Sequence, residues 1–170
     1  PLLDEWKKEY SHANGTTTDD HGVVRVYKKG KVVLEEFPTG FLVFYENGKS
    51  VRTEFSPTHP KHGMIGFFEN DTHVRTEYSS THPRHGEIEF WRDGKQVRTE
   101  HSSSHRDHGE IVFWENGKHV RSEFYPTQPE HGVIVFWENG KHVRSEFSST
   151  HPKYGEIVFW ENGKHVRSEF

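Results

Sequence analysis

A 23-residue segment returns again and again along this chain, and that period constrains the fold more than any other feature. From His62 the segment HGMIGFFENDTHVRTEYSSTHPR recurs as HGEIEFWRDGKQVRTEHSSSHRD at His85, HGEIVFWENGKHVRSEFYPTQPE at His108 and HGVIVFWENGKHVRSEFSSTHPK at His131. A last copy, YGEIVFWENGKHVRSEF, starts at Tyr154. Upstream, TGFLVFYENGKSVRTEFSPTHPK (39–61) keeps the period, and HGVVRVYKKGKVVLEEFP (21–38) keeps the pattern with a linker five residues shorter. Self-similarity at such a period marks an array in which each unit buries its apolar face against its neighbours. The chain therefore reads as seven units, 21–38, 39–61, 62–84, 85–107, 108–130, 131–153 and 154–170, preceded by a cap and connector over 1–20.

Each unit reads as a β-hairpin, because two runs of β-branched and aromatic residues flank a short turn, which is Asn-Gly or Asp-Gly in five of the seven, as at Asn116-Gly117 and Asn139-Gly140. A two-residue turn with uninterrupted pairing sets Trp114 opposite His119, Phe113 opposite Val120, Val112 opposite Arg121 and Ile111 opposite Ser122. That register places Ile111, Phe113, Val120, Ser122 and Phe124 on one buried face. The predicted fold is all-β: tandem hairpins forming an elongated single-layer antiparallel sheet or solenoid, roughly 65 Å long at about 10 Å per hairpin. In PLLDEWKKEY the spacing of Leu2, Leu3, Trp6 and Tyr10 predicts a short amphipathic helix capping the first edge, with Ser11 to Asp20 as a polar connector. The other edge, at Phe170, is expected to stay open and to favour end-to-end self-association.

The second face predicted by that register carries the candidate recognition residues. Its steady members are an aromatic (Trp91, Trp114, Trp137, Trp160), an Arg (Arg98, Arg121, Arg144, Arg167) and a Glu such as Glu123. Its changing members include Glu110, Val112, His119 and His142. Two readings follow: a ladder that braces the sheet through cation–π and ion-pair contacts, and a surface of fixed anchors and variable readers.

The pattern G-x-x-x-x-aromatic-E-N-G-K-x-x-x-x-E-aromatic, as in GEIVFWENGKHVRSEF at 109–124, resembles the membrane-occupation-and-recognition-nexus (MORN) repeats, in the variant form with an E-N-G-K turn. The resemblance covers roughly residues 21–170. It implies stacked hairpins used as a protein-docking scaffold, sometimes near membranes or phospholipids. The linker S-S-T-H-P-K/R-H departs from that family's shorter, Gly-containing connection.

Those linkers hold His59-x-x-His62, His82-x-x-His85 and His105-x-x-His108, whereas the next two have Gln128 with His131 and His151 with Tyr154. Two imidazoles three residues apart can chelate Zn²⁺ or Cu²⁺, but a closed site needs about four ligands and there is no Cys. The favoured reading makes these His loop-packing residues, with metal binding as the lesser alternative. No catalytic motif occurs, and any His/Glu/Ser set recurs in every unit, whereas an active site is a single asymmetric constellation. The expected function is accordingly a non-enzymatic scaffold without cofactor, binding a protein partner. The alternative is a modular nucleic-acid binder in which Trp and Arg meet bases and phosphates. Charge weighs against that alternative: 26 Asp+Glu exceed 22 Lys+Arg for a net charge of −4, although protonating all 15 His would reverse its sign. No apolar run reaches the length of a spanning helix, no basic-then-apolar leader is visible, and the compartment stays open.

Overall fold

The structure, a computed structural model, describes residues 15–170. The expected cap helix in PLLDEWKKEY lies outside the described residues. Among those described there is no helix, and none long and apolar enough to cross a membrane. The chain divides into two compact units at His85/Gly86. The first contains β1 (Thr16–Thr18), β2 (Val24–Lys28), β3 (Lys31–Glu36), β4 (Phe41–Glu46), β5 (Lys49–Phe55), β6 (Met64–Glu69) and β7 (Thr72–Tyr78). The second contains β8 (Glu87–Arg92), β9 (Lys95–His101), β10 (Glu110–Glu115), β11 (Lys118–Phe124), β12 (Val133–Glu138), β13 (Lys141–Phe147), β14 (Ile157–Glu161) and β15 (Lys164–Glu169).

Within each unit every strand pairs antiparallel with its chain neighbours, giving a meander of hairpins as the repeats predict. One departure is β1. Thr16–Thr18 falls in the segment expected to be a connector, but it pairs with Val24–Val26 as an edge strand. Three β-branched residues suit an extended backbone, and the run is too short to show periodicity.

The turns follow from local chemistry. Asn116 and Gly117 have φ of 49° and 74°, both positive as a type I′ turn requires, and its twist matches that of the flanking strands. Only the first two pairs beyond the turn follow uninterrupted register: Glu115 with Lys118 and Trp114 with His119. A one-residue bulge then intervenes, so that Phe113 faces Arg121, Val112 faces Ser122, Ile111 faces Glu123 and Glu110 faces Phe124. The extra residue is Val120. Every hairpin from β2–β3 to β14–β15 shifts at the same place, and the extra residue is always a Val: Val33, Val51, Val74, Val97, Val120, Val143 and Val166.

This bulge corrects the predicted faces. Strict alternation through the second strand puts Ser122 and Phe124 with Phe113; one inserted residue sends them to the other side and brings Arg121 and Glu123 across in exchange. One face, the Phe face, therefore carries Ile111, Phe113, Val120, Arg121 and Glu123. The other, the Trp face, carries Glu110, Val112, Trp114, His119, Ser122 and Phe124. The Trp face is the better buried along its midline, where Val112, Ser122, Glu89, Thr99 and Thr76 are closed off from solvent. In the first unit the Phe face is also buried, through Val26, Leu34, Leu42 and Phe44 with Val33 and Val51 packed against them.

The linkers fold back as consecutive tight turns. After β5, Ser56 N–H donates to the Gly40 carbonyl, His59 N–H to Ser56 and His62 N–H to His59, and the same three bonds recur after β7 and β9. The geometry leaves Gly40, Gly63, Gly86, Gly109 and Gly132 little room, whereas Gly155 has open space beside it. At Gly109, where φ is +93°, an added Cβ would lie 2.4 Å from the Gln128 side chain.

Candidate recognition surface

On the Phe face each hairpin from β4–β5 to β14–β15 builds the same triad, whereas β2–β3 has Val26 and Leu34 at the Phe and Arg places. The Arg121 guanidinium lies 4.0 Å from the Phe113 ring centroid, and its Nε is 3.0 Å from Glu123 Oε1. Neighbours two apart on a strand point the same way, so Arg121 and Glu123 must share a side. The Nε–H is not aligned on the carboxylate, which makes the pair a charge contact rather than a directed hydrogen bond. In the second unit the triad repeats at Phe90/Arg98/Glu100, Phe136/Arg144/Glu146 and Phe159/Arg167/Glu169. In the first it appears at Phe44/Arg52/Glu54 and Phe67/Arg75/Glu77. The Arg121 and Glu123 side chains keep 38% and 36% of their surface exposed, enough for a further molecule to reach both charges. At this exposure each stack contributes only about 0.5–1 kcal/mol, and the ion pair a similar amount or less. Between triads, Val120, Phe136, Val143, Arg144 and Phe159 line a shallow groove.

The Trp face is organised differently. In the second unit the rings alternate as Trp114, His119, Trp137, His142, Trp160 and His165, with centroid separations of 5.7, 4.9, 5.7, 4.9 and 6.0 Å. Each His lies opposite its own hairpin's Trp and reaches the Trp of the following hairpin. Below the ladder, His119 Nε2 and Ser122 Oγ are 2.9 Å apart, and Ser122 donates its one hydroxyl proton to Glu110 Oε1 at 2.8 Å. His119 must then carry its proton on Nε2 and donate it to Ser122. Burial holds the His119 imidazole below its usual pKa, against the opposing pull of the Glu110 charge and of a hydrogen bond to the Arg121 carbonyl. His142 is lowered in the same direction, again by burial first. Trp114 Nε1–H donates to Thr99 Oγ1 at 3.0 Å. The matching hydroxyl for Trp137 is that of Ser122, already engaged, and Trp137 Nε1 has no hydrogen-bond partner among the described residues.

A third ladder runs along the turns. Lys95 Nζ donates to Asn116 Oδ1 at 3.0 Å, Lys118 to Asn139 at 3.2 Å and Lys141 to Asn162 at 3.1 Å. The Asn that tolerates the positive φ of one turn thus accepts from the Lys of the preceding one.

The sequence-predicted constellation is therefore split. Trp91, Trp114, Trp137, Trp160, Glu110, Val112, His119 and His142 belong to the Trp face, whereas Arg98, Arg121, Arg144 and Arg167 lie on the opposite side. Imidazoles with centroids 4.9 and 5.7 Å away, tilted by 30° and 38°, crowd the Trp137 ring and disfavour a base stacking on it. Ile111, Phe113 and Val120, read from the sequence as core, share the surface with the Arg row.

The linker His are engaged in packing and turns. His59 Nδ1 accepts the Lys61 N–H at 3.0 Å, and its ring stacks 4.4 Å from Phe55. His82 does the same with Arg84 and Tyr78. Nδ1 of the second member, His62, lies 3.2 Å from the Phe55 carbonyl, and its Nε2 lies 3.4 Å from Thr81 Oγ1 in the next linker. His85 and His108 hold the corresponding carbonyls of Tyr78 and His101. Both Nδ1 atoms of each such pair are thus taken up by the backbone.

The chain matches no protein-family model, and no curated protein matches it.

Proposed function

We propose that this chain is a non-enzymatic binding scaffold that engages a protein partner along its Phe face, with the Arg of each triad as the fixed anchor. The observation that carries this reading is the repeated half-exposed triad, Phe113/Arg121/Glu123 and its counterparts, beside bulge valines that line a shallow groove of mixed polarity. Arg and aromatic side chains dominate the energetic centres of protein interfaces, and an Arg already braced by a ring and a carboxylate loses little freedom on binding. Alternating positive and negative groups beside aromatic and valine side chains suit a polypeptide of mixed charge better than a phosphate backbone, which the Glu row repels. The resemblance to MORN repeats supports the same use.

The test is selection of peptides from a displayed random library on the whole chain. Binders are expected to be lost in the double variant Arg121→Glu/Arg144→Glu and retained in Trp114→Phe. Binders indifferent to the Arg pair would refute the assignment of the face. Oligonucleotide binding that weakens steeply with salt would replace the protein partner by a nucleic acid.

A further inference from the structure

The linker between β9 and β10 departs from all its counterparts at four positions, Ser104 in place of Thr among them, and two of the others meet in space beside His105, whose counterparts are His59, His82, Gln128 and His151. His101 stands where the others have Phe55, Tyr78, Phe124 and Phe147. Asp107 stands where they have Lys61, Arg84, Glu130 and Lys153. Arg106 replaces Pro60, Pro83, Pro129 and Pro152. Like His59, His82 and His151, His105 packs on the ring that ends the preceding strand, but here imidazole meets imidazole: the His101 and His105 rings are 4.5 Å apart and inclined by 23°. His105 Nδ1 is 3.8 Å from Asp107 Oδ2. One ligand atom from each of His101, His105 and Asp107 lies within 4.8 Å of the others.

We propose that His101, His105 and Asp107 form a site for a divalent transition-metal ion of the zinc class. Two imidazoles and one carboxylate are a donor set for such an ion and a poor one for Ca²⁺ or Mg²⁺, which prefer all-oxygen shells. Three protein ligands leave a fourth tetrahedral position to water. Ligand atoms around zinc stand about 3.3 Å apart at bond lengths near 2.05 Å, so binding draws the three groups together by up to about 1.5 Å. His101 is 9% exposed, fixed by its stacking and by Nδ1 at 3.3 Å from the Glu110 carbonyl, and serves as the anchor. His105 and Asp107 lie on the looser linker, where Arg106 in place of proline frees the φ that a ring would fix. His105 Nδ1 now accepts the Asp107 N–H at 3.1 Å, and Arg106 Nε lies 3.4 Å from the Asp107 carboxylate. Arg106 is 89% exposed, so displacing it costs little. The pairing differs from the His-x-x-His reading of the sequence, because His108 is turned to the His101 carbonyl and the third donor comes from the strand.

The other linkers provide the controls, since each has a carbon ring in place of His101. The whole chain, free of any affinity tag, is titrated with Zn²⁺ against a chromogenic indicator, with histidine ring signals followed by NMR. About one ion per chain is expected to bind with Kd on the order of 10 μM or tighter, shifting His101 and His105. His101→Phe and Asp107→Lys install residues that other repeats already carry at these places. Each is expected to weaken that binding at least tenfold, with the metal-free unfolding temperature changed by less than about 3 °C. Retention of wild-type zinc affinity in either variant overturns the proposal, as does a wild-type chain that binds zinc only above about 100 μM. Asp107 is exposed, so its variant reports on zinc even where the His101 change disturbs packing.

Discussion

Replacing Ser122 by Ala isolates what holds the Trp face together, because the repeats supply a matched comparison. Ser122 is 1% exposed; its hydroxyl accepts from His119 and donates to the Glu110 carboxylate. In the next hairpin Ser145 meets His142 at the same 2.9 Å, but Val133 replaces the carboxylate. A hydrogen bond to a charged group contributes about 1.5–3 kcal/mol and one between neutral groups about 1 kcal/mol. Glu110 is half-buried, so water recovers part of its loss, which places Ser122→Ala near 2 kcal/mol and Ser145→Ala near 1 kcal/mol. Adding Glu110→Val to Ser122→Ala rebuilds the Ser145→Ala environment and should recover about 1 kcal/mol, since no carboxylate is then stranded. For a chain of this length each kcal/mol moves the unfolding temperature by about 2–4 °C, a difference that thermal melts followed by circular dichroism resolve. Amide exchange along β11 checks that the loss is local. Equal losses in the two serine variants, or no recovery on adding Glu110→Val, would refute the bridging role of Ser122.

Because burial lowers the His119 and His142 pKa values in the folded state, their contribution is complete above the unfolded value near 6.5 and is lost as pH falls below it. The unfolding temperature should drop between about pH 7 and 5, and His119→Gln with His142→Gln, copying Gln96, should flatten that drop; a flat wild-type profile would contradict it. Gly109→Ala should cost more stability than Gly155→Ala, as both have φ near +90° but only the first drives a Cβ into Gln128; equal chemical-denaturation midpoints would show that the side chain gives way. Burial, with the hydrogen bond that Tyr45 donates to Glu35 at 2.6 Å, pushes its pKa up to about 12, so an ultraviolet titration should show a late ionisation step that Tyr45→Phe removes.

The period, the hairpins and the turn type were legible because each rests on local chemistry: Asn-Gly admits two positive φ angles, and β-branched and aromatic runs flank it. The bulge was not. Alternation carries the second strand smoothly from Val120 through Ser122 to Phe124 as apolar or small, so a strict period of two looked self-consistent. The sign of the error was present in Thr53, Thr76, Thr99, Ser122 and Ser145, small hydroxyl residues where a core position calls for volume. Their size suits the Trp face, where a hydroxyl fits beneath the rings and reaches a Trp or His nitrogen. In the repeats from 39–61 onward the Arg likewise sits beside its Phe only because the Val before it is extra. Linker geometry was beyond reach, since the pairing of His105 with His101 depends on a fold-back that no local pattern encodes.

Pairing each strand only with its chain neighbours also decides how the second unit would respond to tension. A pull along the chain from its ends peels a meander one ladder rung at a time, so few hydrogen bonds bear the load at any moment. Each hairpin released frees one repeat of 23 residues, about 80 Å of extended chain less the thickness it occupied when folded. Stretching would then proceed in steps of similar length, each opposed by few hydrogen bonds, which makes this unit a compliant spring rather than a stiff strut.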